Sequence, residues 1–202
     1  MIKLYTAATP NGRKVSIALE ELGLEYETVR VNLVEEEQFK PEFLAMNPSR
    51  KIPVIEDDGE IIWESGAIIM YLDAKHGGLL PTDARERSQA LQYTFFQAAH
   101  VGPNLGRLGS QFNRDPAEQN KEMIEIFLTE CIRVFGVLDT VLADGRDYLA
   151  GPYSIADIMT YPWLKAARDA QETFFADFGK LSAWMERVAA RPAVQRGMAV
   201  PE

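Results

Sequence analysis

The chain has 202 residues, 47% of them hydrophobic and 25% charged, and carries a formal net charge of −9. A chain this acidic repels phosphate backbones and has no Lys/Arg cluster dense enough to form a basic stripe, so no nucleic-acid partner is expected. No apolar run nears the ~20 residues of a membrane-spanning helix, and the amino terminus lacks a basic region followed by an apolar stretch, so no membrane association is expected.

The length suits one large domain or two small ones. The one cysteine, Cys131, excludes an intramolecular disulfide and suits a reducing compartment, which points to a cytoplasmic protein.

In chain order, Ile2-Lys-Leu-Tyr5 reads as a short strand. Asn11 to Leu22 follows as a helix, because Val15, Ala18, Leu19 and Leu22 recur at i, i+3, i+4 and i+7 on one face. Gly23 stands where a helix carboxy-terminal cap is expected. Tyr26 to Leu33 is rich in β-formers and makes a second strand. A β-α-β unit of this length implies parallel pairing through a right-handed crossover.

A Glu-rich stretch and a short helical piece near Pro41 to Met46 lead to the turn signal Asn47-Pro48. Pro53 to Glu56 and Glu60 to Trp63 flank Asp57-Asp-Gly59, which reads as an antiparallel hairpin. Ser65 to Lys75 forms a helix with Ala67, Ile68, Tyr71 and Leu72 on its apolar side. The order β-α-β-α-β-β-α is that of an α/β thioredoxin-like domain over residues 1–76.

Residues 77–86 read as a linker, with His76-Gly-Gly78 and Pro81-Thr-Asp83 as breakers. Residues 87–202 are expected to form an all-α domain. Arg85 to about Phe112 and Pro116 to about Leu142 are long helices, Ser154-Ile-Ala-Asp157 opens another, and Leu181 to Arg191 closes the set before Pro192. The Ser154 segment has capping-box spacing, with Asp in place of Glu or Gln, and is read as structural. No internal repeat or low-complexity tract is present.

Three segments can carry chemistry. In Lys51-Ile-Pro-Val54, Pro53 at a strand entrance has no N–H, and a cis bond before it would turn the Ile52 backbone outward to pair with a peptide as an added strand. Taken alone, an ordinary edge-strand proline and a solvated lysine explain it as well. In Glu64-Ser65-Gly66, Ser65 is a good N-cap whose hydroxyl and following N–H groups make an anion site, while Glu64 can take an ammonium. A plain helix cap is the simpler account of that segment alone.

In Thr9-Pro-Asn-Gly12, the first helix begins with N–H groups that would favour a thiolate, and Thr9 and Asn11 are the nearest side-chain donors. A helix start with Pro and Asn-Gly in their usual places is the alternative. What favours function is that all three segments occur in order, at strand ends and helix starts. Together they complement a small peptide charged at both ends, of which glutathione is the obvious example.

The whole chain resembles the glutathione S-transferases. Thr9-Pro-Asn-Gly-Arg-Lys-Val15, Gln38-Phe-Lys-Pro-Glu-Phe43 and Asn47-Pro-Ser-Arg-Lys-Ile-Pro53 are most similar to the bacterial nu-type and fungal nitrogen-regulator-like members. The resemblance implies that Lys51 and Gln38 approach the glycyl end of glutathione, and that Ile52, before Pro53, pairs with its cysteinyl backbone. It implies that Glu64 and Ser65 hold the γ-glutamyl end, that Thr9 and Asn11 stand near the sulfur as the catalytic pair, and that Arg133 reaches glutathione from the helical domain.

It further implies a homodimer and an enzyme using the glutathione thiolate to reduce disulfides. Conjugation of glutathione to a small electrophile is the close alternative, and a non-catalytic binding module is the rival from another class. Glutathione is expected as substrate and no metal as cofactor, since His76 and His100 are too isolated for a metal site or a catalytic dyad.

Tyr5 lies within the first strand and is not expected to be the catalytic hydroxyl. No cysteine opens the first helix, so mixed-disulfide chemistry lacks a protein nucleophile. Cys131 shares a stripe with Phe127, Val134 and Leu138, which suits a buried structural thiol. Tyr93, Phe95, Phe96 and Phe112 fit core, dimer interface or the wall of an apolar second-substrate site.

Overall fold

Strand β1 (Ile2–Thr6) alternates buried and half-buried residues, as successive side chains point to opposite faces of the sheet. It pairs in parallel with β2 (Tyr26–Arg30) through the crossover helix α1 (Pro10–Glu21), and antiparallel with β3 (Val54–Asp57). β3 turns through Asp58 and Gly59, both with positive φ, into the edge strand β4 (Glu60–Trp63). Two positive-φ residues are what a tight hairpin of natural twist requires. The sheet order is β2-β1-β3-β4. These coordinates are a computed structural model describing residues 1–201.

β2 is shorter than its β-forming sequence suggests. At Asn32 side chains take over from the ladder: its Oδ1 accepts from the N–H groups of Val34 and Glu35, and its own N–H donates to Glu37 Oε2 at 2.7 Å. Helix α2 (Pro41–Met46) precedes β3, and α3 (Ser65–His76) follows β4. This is the thioredoxin-like order expected from the sequence.

The register positions the functional end of the sheet. Thr6 lies opposite Arg30, Tyr5 opposite Val54, and Val54 opposite Trp63. The carboxy-terminal ends of β1, β2 and β4 and the amino-terminal end of β3 therefore share one end of the sheet.

The expectation that residues 87–202 form the second domain needs correction at its end. The chain divides into Met1–Leu80 together with the segment from Ala189 onward, and Pro81–Val188. The pattern after Pro192 continues as a helix, α9 (Pro192–Met198), which packs on α1. Gly197 is what allows this, because a Cβ there would come within 2.5 Å of Ile17 Cα. Ser16 Oγ donates to Gly197 O at 2.6 Å, and Arg191 makes a two-pronged contact with Glu21.

In the helical unit, the run expected as one helix from Arg85 to Phe112 is α4 (Ala84–Phe96), a wider π-type turn at Gln97–Val101, and α5 (Gly102–Phe112). Pro103 supplies no N–H to an α-type ladder, and a π turn before it absorbs the mismatch. Helix α6 (Lys121–Val141) starts later than Pro116 because Asn120 is its cap, accepting from Met123 N at 3.1 Å. Helix α7 (Ile155–Ala170) is buried over most of its length, and α8 (Gly179–Ala189) brings Trp184 against it.

The Ser154/Asp157 capping box forms, and Asp157 does more than cap. It is fully buried and accepts from Ser154 N, from Leu149 N at 3.0 Å and from Trp184 Nε1 at 2.8 Å. Asp157→Ala strands all three donors, so a loss of about 3–5 kcal/mol is expected. Urea unfolding checks this; a midpoint within error of the parent would show that the network does not hold the unit.

Candidate functional site

Because of the strand register, the connections after β1, after β2, before β3 and after β4 all leave from the same end of the sheet. These four connections carry Thr9 and Asn11; Gln38; Lys51, Ile52 and Pro53; and Glu64 and Ser65.

Thr9 is the N-cap of α1, in extended backbone, and its hydroxyl oxygen accepts from Gly12 N at 3.2 Å. That bond uses an oxygen lone pair and leaves the hydroxyl hydrogen as a donor. Pro10 takes the first helical position, where its missing N–H costs nothing. Asn11 is half-buried in the first turn. Gly12 permits the helix to start this close to β1, since a Cβ there would overlap Ala7 O and Thr6 Oγ1.

The segment before β3 is pinned by Asn47, a buried residue whose Nδ2 donates to Lys51 O at 2.7 Å and whose Oδ1 accepts from Ser49 N. The Ile52–Pro53 bond is cis. The Ile52 side chain is drawn into a cluster with Ala7, Val31, Phe43 and Val54. Among the described residues, its N–H and C=O make no backbone hydrogen bond. Lys51 is exposed beside it.

At the start of α3 the structure corrects the sequence reading of Ser65 as N-cap. Glu64 occupies that position, with φ 72° and ψ 115°, and its C=O accepts from Ile68 N. The positive φ turns the chain sharply out of β4, so Ser65 is already helical and its side chain is buried. The Glu64 side chain makes no cap bond and stands exposed. A carboxylate residue in this backbone region is uncommon, and such outliers cluster at ligand clamps.

Gln38 lies in a single 3-10 turn, Glu37–Phe39, and its Oε1 is buried with no hydrogen-bond partner among the described residues. A buried amide oxygen without a donor is costly in a closed core and natural at a site that awaits one.

Lys14 was not singled out from the sequence. It is 3% exposed on α1, and burial lowers its pKa to about 7, opposed by the Glu64 carboxylate. The signal was legible, since Lys14 falls on the same helical stripe as Val15 and Ala18. A lysine in a buried stripe is rarely placed there without a carboxylate partner.

Other candidates fall elsewhere. Arg133 stands on α6 in the helical unit, where its guanidinium is bound to Glu130 at 2.8 Å. Tyr5 donates its hydroxyl to Glu56, and its pKa is raised by burial and then by that carboxylate, the wrong direction for a hydroxyl that must ionise. Cys131 is buried, and burial pushes its thiol up to about 12. Tyr93 is core, whereas Phe95 is 63% exposed. Among the described residues no group of His, Cys, Asp or Glu is arranged to hold a metal ion, and no helix is long and apolar enough to cross a membrane.

Residues 1–74 match the model of the glutathione S-transferase N-terminal domain, and residues 87–192 that of the C-terminal domain. The chain belongs to the glutathione S-transferase family.

Among its relatives is the disulfide-bond oxidoreductase YfcG of Escherichia coli, 39% identical over 98% of this chain and 94% of that protein. A glutathione transferase from Burkholderia graminis, solved with two glutathione molecules per subunit, superposes with a TM-score of 0.92 at 39% identity, covering 100% of this chain and 88% of that one. One from Pseudomonas putida, with one glutathione disulfide per subunit, gives 0.91 at 38% identity, covering 100% and 92%.

The buried lysine Lys14 predicts a pH effect with a definite sign. Its folded pKa, about 7, lies below the value near 10.5 in the unfolded chain. Between these limits the unfolded state binds the extra proton, so stability rises as pH increases. From pH 7 to pH 9 the gain is about 2 kcal/mol, and Lys14→Met should remove it. Urea unfolding of both proteins at the two pH values checks this; equal slopes would show that Lys14 stays charged when buried.

Proposed function

We propose that the chain is a glutathione-dependent disulfide oxidoreductase whose site is the common end of the sheet in the amino-terminal unit. The observation that carries the reading is the convergence of three features there. They are a helix amino terminus with a hydroxyl cap and no cysteine, a strand entrance with an unused backbone edge at Ile52, and a carboxylate–hydroxyl pair at Glu64 and Ser65. The relationship to YfcG and the ligands held by the Burkholderia and Pseudomonas structures support it.

In this reading the ammonium of the γ-glutamyl group meets Glu64, and its carboxylate meets the Ser65 hydroxyl and the first N–H groups of α3. The cysteinyl backbone adds to the edge at Ile52, before Pro53. The glycyl carboxylate is held by Lys51, while the Gln38 amide takes up a donor from the tripeptide backbone.

The sulfur lies at the start of α1. The helix N–H groups, the Thr9 hydroxyl and the Asn11 amide favour the thiolate over the thiol. The thiolate attacks one sulfur of a disulfide, forming a mixed disulfide and releasing the other sulfur as a thiolate. A second glutathione thiolate attacks the glutathione sulfur of that mixed disulfide, producing glutathione disulfide and a second released thiolate. Two electrons pass from the two glutathiones to the substrate disulfide, the two glutathione protons end on the released thiolates, and no protein cysteine takes part.

Conjugation is the second reading, favoured by the family and by the same thiolate. There the thiolate attacks an electrophilic carbon and displaces a leaving group. We place the protein in the cytosol and expect a homodimer, with a sedimentation mass twice that of the 22.7 kDa chain.

Steady-state assays with hydroxyethyl disulfide and with an aryl halide separate the two reactions, and inactivity toward both would exclude an enzyme. In the active assay, combined Thr9→Ala and Asn11→Ala should lower kcat at least tenfold with little change in KM for glutathione, because the pair acts on the reacting sulfur. Cys131→Ser should leave both parameters unchanged. Millimolar glutathione should raise the melting temperature of the parent, and Glu64→Ala should abolish that shift. No shift in the parent would favour a non-catalytic module.

A further inference from the structure

Lys14 puts a cation where a charge is costly. It lies on the buried stretch of α1 with Val15, Ser16 and Ala18, and is 3% exposed. Helix α1 packs on α3, whose first residue, Ser65, is also buried. Glu64, immediately before α3, is close enough for its carboxylate to favour the charged lysine, while burial lowers the lysine pKa to about 7.

Glu64 is well placed to be shared. Its backbone is held at φ 72°, and its side chain makes no cap bond. Neither α1 nor α3 has an acidic residue in its first turn, so the positive ends of both helices reach this end of the sheet without an anion of their own. One carboxylate thus answers two helix ends and a buried ammonium.

The other ionisable groups of the helices around Lys14 are engaged or distant. On α1, Glu20 and Glu21 bind Arg196 and Arg191 beside and within α9. On α3, Asp73 accepts from the N–H groups of Leu79 and Leu80, and Lys75 binds Asp57 and Asp58. His76 is exposed at the far end of α3, and Arg13 carries a permanent charge.

We propose that Lys14 is a positioning residue for the γ-glutamyl end of the ligand, exchanging its own proton for the ligand's ammonium at Glu64. Before binding, the protonated lysine holds the carboxylate. When the ligand's ammonium takes that carboxylate, two cations compete for one anion, and the buried one is the cheaper to neutralise. Lys14 then gives its proton to solvent and stays buried as the neutral amine. The inference rests on the glutathione reading and adds to it the group that keeps the charge balanced at Glu64.

S-methylglutathione is the probe, because it keeps both charged ends of the tripeptide and has no thiol proton to release. Calorimetric titration of the full chain at pH 6.5, in PIPES and in imidazole, should show release of about three-quarters of a proton per site. The apparent affinity should rise about eightfold from pH 6 to pH 7.5, the sense required when binding expels a proton. Lys14→Met should release no proton and bind with an affinity that is flat over that range; Lys14→Gln serves if the first variant folds poorly. Heats independent of buffer in the parent, or proton release kept in both variants, overturn the inference while glutathione binding stands. Binding undiminished in Glu64→Ala overturns the placement of the ammonium, and the inference with it.

Discussion

The start of α1 lies against the end of β1 with no room for a side chain at Gly12. That contact sets where the first-turn N–H groups point. Everything at the site is arranged around it. The Thr9 cap bonds Gly12 N at the same point, and the register of β1 with β3 brings Ile52 to the same end of the sheet. The helix is fixed a second time, about one and a half turns further on, by the equally close approach of Gly197 to Ile17. Two side-chain-free contacts thus hold α1 between the sheet and the terminal helix. A rigid carrier is what a helix terminus needs if its N–H groups are to stabilise charge without reorganising.

Burial decides which ionisable groups can serve in the reaction. Tyr5 and Cys131 are both pushed toward their neutral forms, so neither offers an anion near neutral pH. Lys14 is pushed toward neutrality by the same effect, opposed by the Glu64 carboxylate. Glu64 itself remains exposed, and its backbone is held in the positive-φ region. The site therefore offers oriented dipoles and an accessible carboxylate, and Tyr5 supplies no anion there. A reactive sulfur must arrive with the substrate.

Much of the fold was legible because its signals are local. The helical stripe of Val15, Ala18 and Leu19, the Asp58-Gly59 hairpin and the Ser154/Asp157 capping box each need only neighbouring residues to be read. One misreading depended on a distant partner, and the others on local chemistry. The carboxy-terminal helix packs on α1 because Gly197 meets Ile17, a match between positions far apart in the chain. The end of β2 was set by side-chain bonds around Asn32, and the break in the long first helix of the helical unit by Pro103. Ser65 looked like a cap because serine usually is one. The positive φ of Glu64, which displaced it by one position, has no signature in a glutamate. The residues assigned to glutathione from the sequence all lie at one end of the sheet, except Arg133, which is on a helix of the other unit.

The same burial that silences Cys131 bears on how such a reductase would behave under oxidation. An enzyme with a cysteine at the helix start passes through a protein mixed disulfide and can be trapped there, or oxidised further, when reducing thiols run low. Here the helix start carries Thr9 and Asn11, which have no oxidation states to visit, and the one thiol is buried and kept protonated. Turnover then depends on the ratio of glutathione to its disulfide outside the protein, with no memory stored in the chain. Activity lost under oxidising conditions should return at once when glutathione is restored, because no covalent repair of the protein is required.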